Sequence, residues 1–383
     1  MFTPDILLPG PTPVPVAIQQ AMLTPMSDHR GSAFTPVLER VRHRLATLFE
    51  VGPSGGIAVL PASGTGALEA TVQNFFQKGD AVLSVSTGAF GNRFRDVAQA
   101  HGLVVDPYTV PWGQAFDPAP VVSRIRQHQY RGILLTHNET STGVINPIER
   151  LTAQMVSIPP AYRPLIVVDS ISGVPAIPLP MQTWGVDVVL AASQKGFMCP
   201  PGLALIAASG NGLKHLQQDR PHRFYFDLGP YFEDKLPYTP ATSLIYGLDK
   251  SLELLAAEGS ARRYQRHRLL GQMTRSFGHA VGWNPFVEEI VASPTVTSLG
   301  VPAGSSPTRV RARIAALGLQ VAGGMGPWHD TAIRIGHVGA ITPATLFAGL
   351  SIVAHVTPHP SRGLEAAWQV WHEDLDKEEP YDA

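Results

Sequence analysis

Seven short runs, apolar nearly throughout, constrain this chain more than any other feature: Ile57–Leu60, Ala81–Val85, Leu103–Val105, Gly132–Thr136, Leu165–Val168, Val186–Ala191 and Leu203–Ala207. A strand with one face in water alternates apolar and polar residues. These runs do not alternate, so each predicts a strand buried on both faces of a largely parallel sheet. Stretches of helical spacing lie between some of them, at Gly66–Gln77, Asn92–His101 and Pro118–His128. Strands alternating with helices predict an α/β sandwich over about residues 20–250. Another helix is expected from Phe34 to Glu50, where Val37, Val41, Leu45 and Leu48 form an apolar stripe.

The flanks read differently. Leu7 to Pro15 is too rich in proline for a helix and predicts an extended arm. Ser243 to Val281 predicts helix broken near Gly259, with a solvated basic segment at Arg262, Arg263, Arg266 and Arg268. Beyond it, strand candidates (Val296–Val301, Ala332–Ile335) mix with helix candidates (Arg309–Leu317, Pro343–Val356, Gly363–Glu373). The expected division is an arm over 1–20, a large domain over 21–255 and a smaller α+β domain over 256–383.

Charge narrows the partners. The chain has 29 Lys+Arg against 30 Asp+Glu and no basic run, which argues against nucleic acid and anionic membrane. Cys199 is the only cysteine, so no intrachain disulfide or thiolate cluster forms. The 14 histidines are scattered, and no metal site is expected. Without a leader-like segment or a membrane-length apolar run, a cytoplasmic location is expected.

Chemistry concentrates where the strands end. Gln194-Lys195 follows the run ending at Ala192. An amine leaving a buried strand loses hydration, which lowers its pKa toward the range useful for imine chemistry. Asp169 ends a second run. A Schiff-base lysine together with an aspartate for a pyridinium nitrogen is what pyridoxal phosphate requires. Ser63-Gly64-Thr65-Gly66 opens a helix and reads either as an ordinary N-cap or as a phosphate cradle. Phe90, in Gly88-Ala89-Phe90-Gly91, either packs in a loop or stacks on a ring. His137–Gly143 is dense in hydroxyls and reads as a turn or as a ligand for a ring oxygen. Arg334 stands between β-type residues; its guanidinium suits a substrate carboxylate or an ion pair.

Together, SGTGALEA (63–70), GAFGNRF (88–94), THNETSTGV (136–144), VVDSIS (167–172), ASQKGFMCPPG (192–202), PYTPATSLIYGL (237–248) and RIGHVG (334–339) resemble the class V aminotransferases of PLP fold type I. The subgroup most resembled is the alanine/serine–glyoxylate aminotransferases, and the likeness runs from the PGPT at 9–12 to Gly339. It implies a seven-stranded, mainly parallel large-domain sheet, pyridoxal 5'-phosphate as cofactor, and a homodimer with active sites at the subunit interface. Lys195 would carry the Schiff base and move the proton at the substrate Cα, with Asp169 at the ring nitrogen and Phe90 on the ring. Ser63, Gly64, Thr65 and Gln194 would hold the phosphate and ring substituents, with Thr140 near the ring. Thr239 would reach the phosphate in the neighbouring subunit, and Arg334 would bind the substrate α-carboxylate. Two places depart from the family pattern. His29-Arg30-Gly31-Ser32-Ala33-Phe34 stands where relatives often read His-Arg-Ser-Pro-Glu-Phe. Leu236 stands where some relatives have a phosphate-contacting Tyr, and Tyr238 is the nearby phenol.

The reaction implied is ping-pong transamination from alanine or serine to a 2-oxo acid, with glyoxylate as the first choice on resemblance alone. The alternatives are a different donor and acceptor pair, β-elimination, or a non-catalytic subunit of a larger complex. A cysteine desulfurase would need a mobile C-terminal cysteine, and Cys199 lies only four residues after Lys195.

Overall fold

The computed structural model describes residues 5–217 and 223–375. Residues 1–4 of the expected arm and 376–383 of the expected small domain lie outside the described residues. The strands are β1 (Asp5–Leu7), β2 (Gly56–Pro61), β3 (Ala81–Ser86), β4 (Val104–Thr109), β5 (Gly132–Thr136), β6 (Asn138–Glu139), β7 (Val144–Ile145), β8 (Leu165–Asp169), β9 (Val188–Ala192), β10 (Leu203–Ala208), β11 (Val296–Gly300), β12 (Leu319–Gly323) and β13 (Ala332–Gly336).

The large sheet has seven strands in the order β2-β10-β9-β8-β5-β3-β4. Only β10 runs antiparallel to its neighbours, β2 and β9, so the other six share one direction. Its strands feed two cores. Ile57 and Val59 of β2 pack in a cluster with Leu38, Val41 and Leu45 of the helix Thr35–Phe49. Ala58 and Leu60 face the opposite cluster, with Leu68, Val72 and Phe75 of the helix Gly64–Phe75. Burial on both faces explains why these runs do not alternate. The third run extends to Thr109 and includes Pro107. Because β4 is the edge strand of the sheet, the missing proline N–H is tolerated there.

A second sheet, β1-β12-β13-β11, gathers its own core around Phe277, Trp283, Leu299, Ile333 and Leu350. Two of its strands were not expected from the sequence. β12 is one. The other is β1, which turns the start of the arm into an edge strand paired in parallel with Leu319–Val321. Three residues carry no periodicity, and only a partner more than 300 positions away makes them a strand. The arm also ends sooner than expected, since Val16–Met22 is helical.

The helices Thr242–Glu258 and Ser260–Ala280 meet at Gly259, whose φ of 77° is the left-handed conformation that glycine adopts freely. The basic segment after it is only partly solvated. Arg262 and Arg268 are exposed, but Arg263 is buried, donating from Nε to Pro175 O (2.8 Å) and from Nη1 to Leu255 O (2.7 Å). Arg266 pairs with Glu258 and donates to the carbonyls of Gly339 and Ile341. Helical spacing puts these two arginines on the packed face, where backbone carbonyls satisfy them.

Leu7 is 2% exposed and packs in the core of the second sheet. Leu7→Ala should therefore cost roughly 2–4 kcal/mol, read as a lowered denaturant midpoint with an unchanged slope. A free arm would give no change.

Candidate active site

Because six strands share one direction, the loops after β2, β3, β5, β8 and β9 all emerge at one edge, where open α/β sheets bind ligands. They enclose a cavity of about 220 Å³ whose walls include Ser63, Gly64, Thr65, Phe90, Thr140, Asp169, Gln194 and Lys195. All eight were candidates from sequence. Leu68, Arg93, Asn138, Ile171 and Ser172 complete the wall and were not. A larger cleft of about 910 Å³, beside Trp112, Trp184 and Phe286, holds none of the eight.

Lys195 lies in the turn after β9. Its Nζ donates to Pro9 O at 2.6 Å. The Thr12 amide donates to Gln194 O and the Thr12 hydroxyl to Lys195 O, both at 3.2 Å, so the arm is stitched across this turn. Gly10 has a φ of 125°, and a Cβ there would sit 2.5 Å from Lys195 Nζ; only glycine fits. Burial lowers the amine's pKa to about 8, and Arg334 pushes the same way while Asp169 opposes.

Asp169 is the last residue of β8 and is 5% exposed. Burial raises its pKa to about 7, and the Glu139 charge pushes it up as well. The Ile171 N–H, which donates to Oδ1 at 2.9 Å, pulls it down, as do Lys195 and Arg93.

At the other end, Ser63 caps the helix Gly64–Phe75 by accepting from the Gly66 N–H at 3.2 Å. The amides of Gly64 and Thr65, in the first turn, have no helical acceptor. A Cβ on Gly64 would lie 2.8 Å from Ile171 Cδ1, so glycine is needed for close packing there. Arg93 reaches to 3.5 Å from the Thr65 hydroxyl, with its guanidinium 5.0 Å from the Phe90 ring centre. Free amides, two hydroxyls and a guanidinium at a helix N-terminus suit a phosphate. Two buried acceptors on the wall, Gln194 Oε1 and Asn138 Oδ1, have no hydrogen-bond partner among the described residues. Such atoms are costly unless a ligand or water donates to them. Amine, carboxylate, phosphate cradle and orphaned acceptors together fit pyridoxal phosphate.

Two candidates stand apart from this wall. Arg334, on β13, donates from Nε to Gly323 O (2.8 Å) and from Nη1 to Thr140 O (2.9 Å), so it backs the cavity behind Thr140. Burial brings its pKa down to about 10, with Glu139 opposing. Thr239 is exposed and does not line the cavity of its own chain. Tyr238 stacks on Tyr225 with ring centres 5.2 Å apart and donates to Phe224 O.

These shifts carry a pH signature for the cofactor-free chain. The folded chain keeps the Asp169 proton up to about 7 against 3.8 for a free aspartate, so this contribution to stability falls as pH rises across that window. Lys195 titrates at about 8 against 10.5, so its contribution rises with pH between those values. Asp169→Asn should remove the falling limb, and Lys195→Met the rising one, in denaturation midpoints measured from pH 4 to 10.

Comparison with known proteins agrees with the geometry. Residues 19–276 match the family described as Aminotransferase class-V. The chain is 32% identical to a Synechococcus protein called soluble hydrogenase, small subunit, over 95% of this chain and 97% of that one. It is also 32% identical to the L-aspartate–glyoxylate aminotransferase of Paracoccus denitrificans, over 90% and 89% of the two chains. Among solved structures, the ureidoglycine–glyoxylate aminotransferase of Bacillus subtilis superposes with a TM-score of 0.91 at 25% identity, covering 97% of this chain and 99% of that one. The lysine and aspartate at one strand edge, the phosphate cradle and a family match over most of the chain lead to one conclusion: this chain belongs to the class V aminotransferases, enzymes that depend on pyridoxal phosphate.

Proposed function

We propose that this aminotransferase moves the amino group of a small amino acid, alanine or serine, to glyoxylate, with Lys195 moving the substrate proton and Asp169 at the cofactor's ring nitrogen. The observation that carries this reading is that both groups face one cavity with pKa values drawn toward neutrality, about 8 and about 7. When bound, pyridoxal phosphate accepts the amino group and delocalises the electron pair released at the substrate Cα.

The chain's own groups do the rest. With its pKa lowered, Lys195 is neutral in a useful fraction near neutral pH, so Nζ would take the proton from the substrate Cα and deliver it to C4′ of the cofactor. Asp169, shielded from water, would hold a proton on the ring nitrogen of the bound cofactor and so keep the ring electron-poor. The single ring hydroxyl would donate to only one of the two unpartnered acceptors, Gln194 Oε1 or Asn138 Oδ1, and Leu68 and Ile171 exclude water from the same space. Arg334 uses two N–H groups on backbone carbonyls and retains three for the substrate α-carboxylate.

Glyoxylate is the acceptor named for two of the relatives above, while their donors differ. A small neutral donor suits the site better than aspartate. Among the described residues of one subunit, Arg93 in the cavity wall lies beside the phosphate cradle and Arg334 behind it would serve the α-carboxylate, so the wall offers no further arginine for a second carboxylate. The exposed Thr239 supports a dimer in which each subunit completes the other's phosphate site.

L-Alanine or L-serine, added to the holoenzyme without any keto acid, should shift the visible cofactor band to the near ultraviolet, and glyoxylate should restore it. A shift with L-aspartate alone would sink the donor assignment. Lys195→Ala should lower kcat by more than about 100-fold, and a rate near that of the parent enzyme would remove Lys195 from the mechanism.

A further inference from the structure

The motif from His137 to Gly143 contains one charged residue, Glu139, and the reaction above does not use it. Glu139 is fully buried on β6, beside the cavity residue Thr140. Its Oε1 accepts from the Ser141 hydroxyl (2.6 Å) and amide (3.1 Å), and its Oε2 from the amides of Phe90 (3.1 Å) and Gly91 (3.0 Å). Every partner donates, so both oxygens act as acceptors, as an ionised carboxylate requires. The amides belong to the first turn of the helix Ala89–Ala100, whose N-terminal partial charge favours an anion.

The turn after β3 is built around this contact. A Cβ on Gly88 would lie 2.5 Å from Ser141 Oγ and 2.6 Å from Glu139 Cγ, so glycine admits the carboxylate. The Ala89 amide donates to Ser141 Oγ at 2.9 Å. Three successive amides, 89 to 91, are thus held by Glu139 and the serine it binds. In the middle of them sits Phe90, whose ring lines the cavity. Glycines flanking Phe90 would otherwise leave this turn with wide conformational freedom.

We propose that Glu139 is a positioning residue for the cofactor, clamping the turn from Gly88 to Gly91 so that Phe90 presents its ring to the cavity. The proposal rests on the reading of Phe90 as the stacking partner of pyridoxal phosphate. An N-cap with only a structural role would stabilise the helix equally well, but its loss would not act on cofactor affinity through Phe90.

The test is the dissociation constant of pyridoxal phosphate, titrated into the cofactor-depleted full-length chain and read by visible absorbance. Phe90→Ala and Glu139→Ala should each weaken binding by about tenfold, and the double variant should be no weaker than the worse single one. Glu139→Gln should recover part of the affinity: its amide oxygen accepts from Phe90 and Gly91 and its NH2 donates to the Ser141 hydroxyl, while the Ser141 amide loses its acceptor. Effects that multiply in the double variant, a glutamine variant as weak as the alanine one, or unchanged affinity in Glu139→Ala would each overturn the proposal. Unchanged affinity in Phe90→Ala would overturn the stacking assignment itself. Should Glu139→Ala fail to fold, Ser141→Ala, which removes the hydroxyl of the clamp, is held to the same criteria.

Discussion

The parallel pairing of Leu165–Asp169 with Gly132–Thr136 on one side and Val188–Ala192 on the other is the constraint on which the site depends. It brings the ends of three buried strands to one edge, and with them Asp169, the turn from His137 to Gly143, and the turn that carries Lys195. Helices cross over between these parallel strands and cover both faces, which buries their side chains on either side. Packing and chemistry therefore have one cause: the unbroken apolar runs that fill two cores also bring the loops lining the cavity to one edge.

Burial then sets the electrostatics. Desolvation is the largest influence on both Lys195 and Asp169, and it acts in opposite directions on an amine and a carboxyl. It draws the two toward neutrality, to about 8 and about 7. Neighbouring charges adjust the result: Arg334 lowers the lysine further, and Glu139 raises the aspartate. Buried charges in such a site survive only when well hydrogen-bonded. Glu139 meets that condition with backbone amides, and Arg334 meets it with carbonyls.

The two sheets are tied together at the site by the arm. β1 pairs with β12 in the second sheet, and two residues later Pro9 O accepts from the lysine of the first. A Cβ on Gly336 would collide with the Leu8 carbonyl, so the end of β13, just past Arg334, packs directly on this segment. Three elements far apart in the chain therefore share one position: the arm, the Schiff-base lysine candidate and the strand of the candidate carboxylate-binding arginine.

Local pattern was enough for the strands of the large sheet, because burial on both faces leaves short unbroken apolar runs, too short for helices and bounded by turn residues. Ser63, Gly64, Thr65, Phe90, Asp169 and Lys195 were legible because each stands just past such a run, in residue types suited to an anion, a ring or an imine, while Gln194 and Thr140 were singled out by the family resemblance. What has no local signature was not legible. β1 is three residues long and exists only through its pairing with Leu319–Val321. Arg263 looked solvated among other arginines until helix packing buried it against Pro175 O. Glu139 read as one polar residue in a turn, because its partners lie some fifty positions upstream at Phe90 and Gly91. The sequence by itself determined the two-faced sheet and the kinds of group at its edge, since hydrophobic periodicity and side-chain chemistry are local properties. Only the tertiary structure decided which of those groups meet, how far burial moves their proton affinities, and which backbone amides and carbonyls hold the charges, because desolvation and hydrogen bonding depend on neighbours remote in the chain.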